Sequence, residues 1–120
     1  MTPEVLRDHV VGALEDRKGQ EILVLDVRRM TSMSDFMVIT TGTSNRHVKA
    51  LVDAVAEASV KAGWAPLGIE GAGPNEWVLV DLGDVIVHVM QRDARGFYDL
   101  ERLWSPLPAN PAREDSRLAV

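Results

Sequence analysis

Four aspartates are the residues of this chain whose type and placement could support catalysis: Asp26, Asp35, Asp81 and Asp84. Carboxylates at strand ends could hold a divalent metal for phosphoryl or nucleotidyl transfer. A two-metal site on a strand usually needs carboxylates at alternate positions, so that both point to one face. Asp81 and Asp84 are instead three residues apart and flank a Leu-Gly pair. This spacing favours turn-forming aspartates that accept backbone N–H bonds, and we expect no metal site.

The Gly-Thr-Ser sequence at residues 42–44 is a second candidate, because a predicted strand leads there into a predicted helix. Backbone N–H groups at a helix N-terminus can bind a phosphate. The sequence lacks the glycine-rich length and the Lys-Ser/Thr ending of a P-loop, and it lacks GxGxxG spacing. Since helix starts generally need a cap and few of them bind phosphate, a turn followed by an N-cap is the favoured interpretation.

The three histidines do not form a recognisable metal or catalytic site. His9 and His47 lie on predicted helices without a partner at metal-ligand spacing, and His88 lies in an apolar strand. A lone strand histidine is more often a hydrogen-bonded structural group than a base or a ligand. No nucleophile has a recognisable base near it in the sequence. We therefore expect neither an enzyme nor a bound cofactor.

The composition predicts one acidic domain. At 120 residues and 46% hydrophobic residues, the chain is long enough for a single core. Thirteen basic and 18 acidic residues give a net charge of -5. Because nucleic-acid binding needs a surplus of Lys and Arg on one face, a basic protein partner is favoured over direct RNA contact. Without cysteines or an N-terminal apolar stretch, we expect no disulfides, no membrane span and a cytoplasmic location.

Apolar periodicity, caps and glycines predict three helices and five strands. The predicted helices are 2–19, 43–62 and 93–104, and the predicted strands are 21–27, 36–41, 66–70, 77–80 and 85–90. The first two strands are near-continuous apolar runs, which predicts that both are covered on both faces and that the first lies in the middle of the sheet.

These elements predict an α/β (α+β) fold with a mixed five-stranded sheet packed by helices. We expect one domain over residues 1–104. Three prolines and mixed charge without periodicity predict a disordered tail over residues 105–120.

Residues 76–104 are the stretch best suited to bind a partner. Its two strand-like runs are joined by a short turn, which makes them antiparallel neighbours. Leu82 lies at this turn, where polar residues are usual, so it is predicted to be an exposed anchor beside Trp77. A helical stripe in the last helix is predicted to pack on the sheet and consists of Phe97, Leu100 and Trp104.

Four blocks of the chain resemble the ribosomal silencing factor family, also called the Iojap family. They are DFMVITTGTSNRHV at 35–48, EG at 70–71, WVLVDLGDVIVH at 77–88 and FYDLERLW at 97–104. The resemblance runs in order from about residue 3 to residue 104, which is far more specific than any one short motif.

The resemblance implies a bacterial cytoplasmic translation repressor that is not an enzyme and whose fold is similar to that of nucleotidyltransferases. Such a protein binds the large ribosomal subunit through large-subunit ribosomal protein fourteen and blocks joining of the small subunit when nutrients are scarce. Some members form homodimers. The partner-binding residues that it implies are Trp77, Val80, Asp81, Leu82 and Asp84, with Arg46 and His47 as a secondary contact.

Two other functions stay open from the sequence. One is a metal-dependent nucleotidyltransferase that uses Asp81, Asp84 and the turn at Gly42. The other is a dimeric adaptor that does not contact the ribosome.

Overall fold

The computed structural model describes residues 2–92, which form two helices and five strands of one domain. In chain order they are α1 Pro3–Asp16, β1 Gln20–Asp26, β2 Phe36–Gly42, α2 Asn45–Lys61, β3 Gly68–Glu70, β4 Trp77–Asp81 and β5 Val85–Gln91. The predicted α/β (α+β) fold with a mixed five-stranded sheet is confirmed. The predicted helix at 93–104 and the predicted tail at 105–120 lie outside the described residues. Neither described helix is long and apolar enough to cross a membrane.

The sequence predicts that Thr2 caps the start of helix α1 and that Gly19 adopts the conformation that ends it, and only the first prediction is confirmed. The hydroxyl of Thr2 accepts the N–H of Val5 at 3.2 Å, which caps the N-terminus. At the other end, Lys18 and not Gly19 adopts the left-handed conformation, with φ 61°. The N–H of Gly19 then donates to the carbonyl of Leu14 at 2.8 Å, which completes a Schellman motif. Gly19 is needed for space instead, because a Cβ there would lie 2.8 Å from the Oγ1 of Thr40.

The strands are arranged in the order β1-β2-β5-β4-β3. The β2–β5 pair is parallel, and the other neighbouring pairs are antiparallel. Strand β2 is buried along its whole length, as predicted. The predictions that β1 lies mid-sheet and is covered on both faces are wrong, since β1 forms one edge of the described sheet and Val24 is 38% exposed. A run of apolar residues does not show which strands lie beside it, because edge position depends on the pairing of the strand's backbone.

The two faces of the sheet carry separate apolar clusters. Helices α1 and α2 pack on the first face, where Val78 and Val80 of β4 point. The second face carries Met37, Ile39 and Met90, with Trp77 packed against them. Because successive strand residues point to opposite faces, Trp77 and Val80 of the same strand belong to different surfaces.

Candidate functional site

The turn between β4 and β5 is built by its aspartate and its glycine. The Oδ1 atom of Asp81 accepts the N–H of Gly83 at 2.8 Å. Gly83 has φ 85°, a conformation that residues with a side chain rarely adopt. The N–H of Leu82 donates to the carbonyl of Val85 at 3.0 Å and closes the turn. The predicted turn-forming role of Asp81 is confirmed, and this role occupies one of its carboxylate oxygens.

Leu82 is not exposed, so the prediction that it is a surface anchor is wrong. Its exposed fraction is 0%, and its side chain belongs to the apolar cluster beneath the helices. The indole of Trp64, just after α2, donates to the carbonyl of Leu82 at 2.6 Å. The turn therefore folds toward the helices, and Leu82 closes the core there. The position of Leu82 in a turn does not reveal that it is buried, because the hydrogen bond that draws the turn inward comes from a residue 18 positions away.

Val80 is also fully buried and lies opposite Val87 on the helix-covered face. A partner cannot contact its side chain while the domain is folded. The strict alternation of side chains along β4 is the sequence signal that separates Val80 from Trp77. The prediction that Trp77 and Val80 both contact the partner missed this separation.

The accessible side chains of this region lie on the second face of the sheet. Trp77, Leu79 and Asp81 of β4 are half-buried, and so is Ile86, which lies opposite Asp81. Glu70 of β3 is exposed and lies opposite Leu79. We call these five residues the β4 face. Sequence reasoning missed Leu79, Ile86 and Glu70, although alternation from Trp77 and the register of the hairpin would have found the first two.

Trp77 and His88 form a hydrogen-bonded aromatic pair on this face. The Nε1–H of Trp77 donates to Nδ1 of His88 at 2.9 Å, and the ring centroids lie 5.8 Å apart. Since Nδ1 accepts this bond, the neutral imidazole carries its proton on Nε2. Burial lowers the pKa of His88 to about 4, which keeps the ring neutral at physiological pH. The predicted structural role of His88 is confirmed.

Asp84 lies at the opposite end of β4 from Trp77. Its carbonyl accepts the N–H groups of Asp35 and Phe36, at 2.8 and 3.0 Å, and so ties the start of β2 to the turn. At about 3.4 Å per residue, Trp77 and Asp81 are separated by roughly 14 Å along the strand. The predicted contact residues therefore follow the length of the strand and do not form one compact cluster.

The start of α2 holds the two residues of the predicted secondary contact. Arg46 is exposed, whereas both ring nitrogens of His47 are engaged. Nδ1 of His47 accepts the N–H of Thr43 at 2.9 Å, and Nε2 lies 2.8 Å from the carbonyl oxygen of Arg17. With the proton on Nε2, His47 donates to this carbonyl and joins the start of α2 to the end of α1. Its evident role is structural, which leaves Arg46 as the accessible member.

The Gly-Thr-Ser turn acts as a helix cap. The Oγ of Ser44 accepts the N–H of His47 at 3.0 Å, as the favoured interpretation predicts. Together with the bond from Thr43 to His47, this capping bond uses two of the N–H groups that could have bound a phosphate.

A buried asparagine connects this helix start to β4. Asn75 lies in the left-handed region with φ 53°, and its Nδ2 donates to Oδ1 of Asn45 at 2.8 Å. Its carbonyl accepts the side-chain amide of Gln91 at 3.0 Å. These bonds fix the loop that precedes Trp77 and place Arg46 at the same end of the sheet as Trp77.

The remaining aspartates are engaged in structural contacts. Asp26 forms an ion pair with Arg28, with an N–O distance of 2.6 Å. Hydrogen bonds from Arg28 lower the pKa of Asp26 to about 2. Within residues 2–92, no three His, Asp or Glu side chains are grouped so that they could hold a metal ion. Asp81 therefore forms a turn and Asp26 an ion pair, whereas Asp35 and Asp84 contribute hydrogen bonds through their backbone.

Comparison with known proteins gives consistent results. A family model described as "Ribosomal silencing factor during starvation" matches residues 2–119. The chain is 45% identical over 100 residues to ribosomal silencing factor RsfS of Haemophilus influenzae, covering 83% of this chain and 98% of that protein. It is 49% identical over 94 residues to ribosomal silencing factor RsfS of Chromobacterium violaceum, covering 78% and 77%. A crystal structure of a Chromobacterium violaceum protein superposes with a TM-score of 0.87 at 43% identity, covering 92% of each chain.

Proposed function

The chain belongs to the ribosomal silencing factor family, and from this membership we propose that it represses translation by binding the large ribosomal subunit. The proposed contact is large-subunit ribosomal protein fourteen, on the face that meets the small subunit. A bound domain of this size blocks subunit joining sterically, in the bacterial cytoplasm and under nutrient limitation. This mechanism needs no catalysis and no cofactor.

The observation that supports a protein-binding role is the composition of the β4 face. Trp77, Leu79 and Ile86 expose part of their apolar surface on the side of the sheet opposite α1 and α2. Asp81 and Glu70 add carboxylates to the same surface. Tryptophan is enriched among the residues that dominate binding energy, and carboxylates around it favour encounter with a basic partner. This combination fits a basic ribosomal protein.

The two ends of β4 would contribute differently to binding. Trp77 is the proposed anchor, because it combines a large apolar surface with partial exposure. Asp81 and the nearby Asp84 would mainly raise the association rate, since half-exposed charges act through long-range steering. Arg46, at the Trp77 end, is a peripheral contact. Val80 and Leu82 support the surface from within the core and do not touch the partner.

The two alternative functions have less support. A nucleotidyltransferase would need Asp81 and Asp84 to hold a metal, but Oδ1 of Asp81 accepts a turn N–H, and Asp84 lies on the far side of the turn. A homodimer is compatible with the sheet of residues 2–92, whose edge strands are β1 and β3, because strands of two copies could pair at an edge. We retain a homodimer of the free protein as part of the proposal, whereas a dimeric adaptor without ribosome contact is the competing hypothesis.

Sedimentation with isolated ribosomal subunits tests the proposal. We expect the protein to sediment with large subunits and to reduce the yield of joined ribosomes. A folded Trp77→Ala, Leu79→Ala variant should lose both behaviours. Val60→Ala is the matched control, because Val60 is 58% exposed on α2, on the other side of the sheet. Sedimentation with small subunits alone, or undiminished binding by the double variant, would contradict the proposal.

A further inference from the structure

The two most exposed large apolar side chains of the described residues lie beside the turn between β4 and β5. They are Met33, which is 83% exposed, and Leu67, which is 74% exposed. The Cδ1 atom of Leu67 lies beside Gly83, 3.5 Å from the position that a Cβ of that residue would occupy. Met33 lies two residues before Asp35, whose N–H donates to the carbonyl of Asp84 at 2.8 Å. Single exposed apolar residues are ordinary, whereas two beside one turn form a candidate contact.

The backbone that presents Leu67 is fixed by its neighbours. The N–H of Leu67 donates to the carbonyl of Asp81 at 2.7 Å, and the next residue, Gly68, lies opposite Asp81 in the β3–β4 pair. Pro66 precedes Leu67, and the ring of a proline fixes its own φ angle. Because this segment is ordered before a partner arrives, covering the Leu67 side chain involves a smaller loss of conformational entropy.

Three carboxylates border these two side chains. Asp81 and Asp84 flank the turn, and Asp35 is joined to it through its backbone. Within residues 2–92, the ion pairs of the protein involve none of these three aspartates. In the connector before β2, Arg28 forms ion pairs with other carboxylates, so only Arg29 is left to balance the three aspartates. We give the name acidic turn surface to five residues: Met33, Asp35, Leu67, Asp81 and Asp84.

We propose that the acidic turn surface is a second contact for the partner that the β4 face binds, with Leu67 as its apolar anchor. The inference rests on the proposed function and defines the chemistry of the partner at this point. The matching site is an aliphatic depression bordered by lysines or arginines, and the flexible side chain of Met33 adapts to its rim. This site belongs to protein and not to RNA, because RNA phosphates and the three carboxylates repel each other.

Contacts at both ends of β4 fix the orientation of the bound domain. Leu67 lies at the Asp81 end of the strand, whereas Trp77 lies at the other end, roughly 14 Å from Asp81 along the strand. A domain held at one point can rotate about that point, and a domain held at two separated points cannot. A steric block of subunit joining depends on where the bulk of the domain lies, so the second contact supports the block as well as the affinity.

Association and dissociation rates on isolated large subunits test the inference with the whole chain. Leu67→Ala should dissociate about tenfold faster, because it removes apolar surface that the complex buries, and its association rate should stay within about twofold. Leu67→Met keeps a large apolar side chain and should restore most of the affinity. Val24→Ala is the matched control, since Val24 is exposed on β1, at the opposite edge of the described sheet, and it should change neither rate.

Asp84→Asn tests the charge of the surface that the partner presents. Asp84 ties the turn to β2 through its backbone carbonyl, which this substitution keeps. Association should slow by about two- to threefold and depend less on salt, because the long-range attraction to a basic surface is weaker. Dissociation should change little. Faster association would mean that the opposing surface is negatively charged, as RNA is, and would overturn the inference.

The remaining outcomes separate the inference from the proposed function. If Leu67→Ala dissociates as slowly as the unaltered protein while the Trp77→Ala, Leu79→Ala variant does not bind, the second contact is wrong and the proposed function stands. If Leu67→Ala and Val24→Ala dissociate equally fast, the effect is not specific to the turn and the inference is overturned. If the unaltered protein does not bind large subunits, the proposed function is wrong, and the second contact falls with it. Urea denaturation establishes that each variant is folded.

Discussion

The indole N–H of Trp64 donates a 2.6 Å hydrogen bond to the carbonyl oxygen of Leu82. This bond connects the residue that follows the end of α2 to the turn between β4 and β5. It draws the turn toward the helices and places the Leu82 side chain in the core. The leucine that looks from the sequence like a surface anchor therefore stabilises the hairpin that carries the β4 face.

Replacing Leu82 should reduce stability and leave the binding surface intact. Leu82→Ala removes a fully buried side chain, for which we expect a loss of about 2–5 kcal/mol in the free energy of unfolding. Leu67→Ala is the control, because Leu67 is 74% exposed near the same turn and should change stability by less than about 0.5 kcal/mol. Urea denaturation measures both. Equal stability of the two variants would contradict the core role of Leu82.

Stability should fall in acid partly because of His88. Its pKa is about 4 in the folded protein and about 6.5 when unfolded, so between these values only the unfolded chain binds the proton. The contribution of the neutral His88 ring to the free energy of unfolding is complete above about pH 6.5. It decreases as the pH falls and is lost by about pH 4, and the total loss is about 3 kcal/mol. Urea denaturation across this range measures it.

The comparison of variants isolates the effect of His88 from that of other groups. His88→Gln should show a weaker decrease in stability between about pH 6.5 and pH 4 than the unaltered protein. His9→Gln, at an exposed position on α1, is the control and should follow the unaltered protein. Identical pH dependence in His88→Gln and the unaltered protein would show that His88 is not the group responsible.

The sequence predicts those features that depend on a few neighbouring residues. Thr2 and Ser44 cap their helices, and Asp81 and Gly83 build the predicted turn, because each of these bonds spans three residues or fewer. The apolar run from Phe36 likewise predicts a buried strand, since its composition directly reflects burial on both faces.

The features that the sequence does not predict depend on distant parts of the chain. Leu82 is buried because Trp64 binds its carbonyl, and among residues 2–92 β1 pairs only with β2, so that it forms an edge of the sheet. The pairing of Trp77 with His88 depends on the register of the hairpin, which the geometry of the turn sets. Predicting this pair therefore requires the turn geometry. For this reason the predicted site includes Val80 and Leu82, whose side chains are fully buried.

Arg28 should control the ionisation of Asp26. Its guanidinium binds both carboxylate oxygens of Asp26 and also lies 5.0 Å from the ring centroid of Phe36. In Arg28→Gln, we expect the pKa of Asp26 to rise from about 2 toward its ordinary value of 3.8, because the hydrogen bonds and the positive charge are lost. NMR titration of the carboxyl carbon measures this. Arg29→Gln is the control, since Arg29 has only a minor effect on Asp26. An unchanged pKa in Arg28→Gln would contradict the assignment.

Three glycines should respond differently to the same added methyl group. Gly12 lies within α1 with no atom near its missing Cβ, so Gly12→Ala should stabilise the protein by about 0.5–1 kcal/mol. Gly73 also has space, but its φ of 112° is strained for alanine, and Gly73→Ala should destabilise by about 1 kcal/mol. Gly71 combines a φ of 89° with a Cβ position 2.2 Å from the carbonyl oxygen of Trp77.

Gly71→Ala should therefore be the most damaging of the three, because the clashing atom belongs to the backbone and cannot rotate away. Urea denaturation should rank the stabilities as Gly12→Ala, unaltered protein, Gly73→Ala and Gly71→Ala, from most to least stable. Since the clash lies at the start of β4, Gly71→Ala should also displace Trp77 and weaken binding to large subunits in the fraction that stays folded. Gly73→Ala controls for loop strain without the clash. Equal losses in the two loop variants would show that backbone strain alone, and not contact with Trp77, requires glycine at position 71.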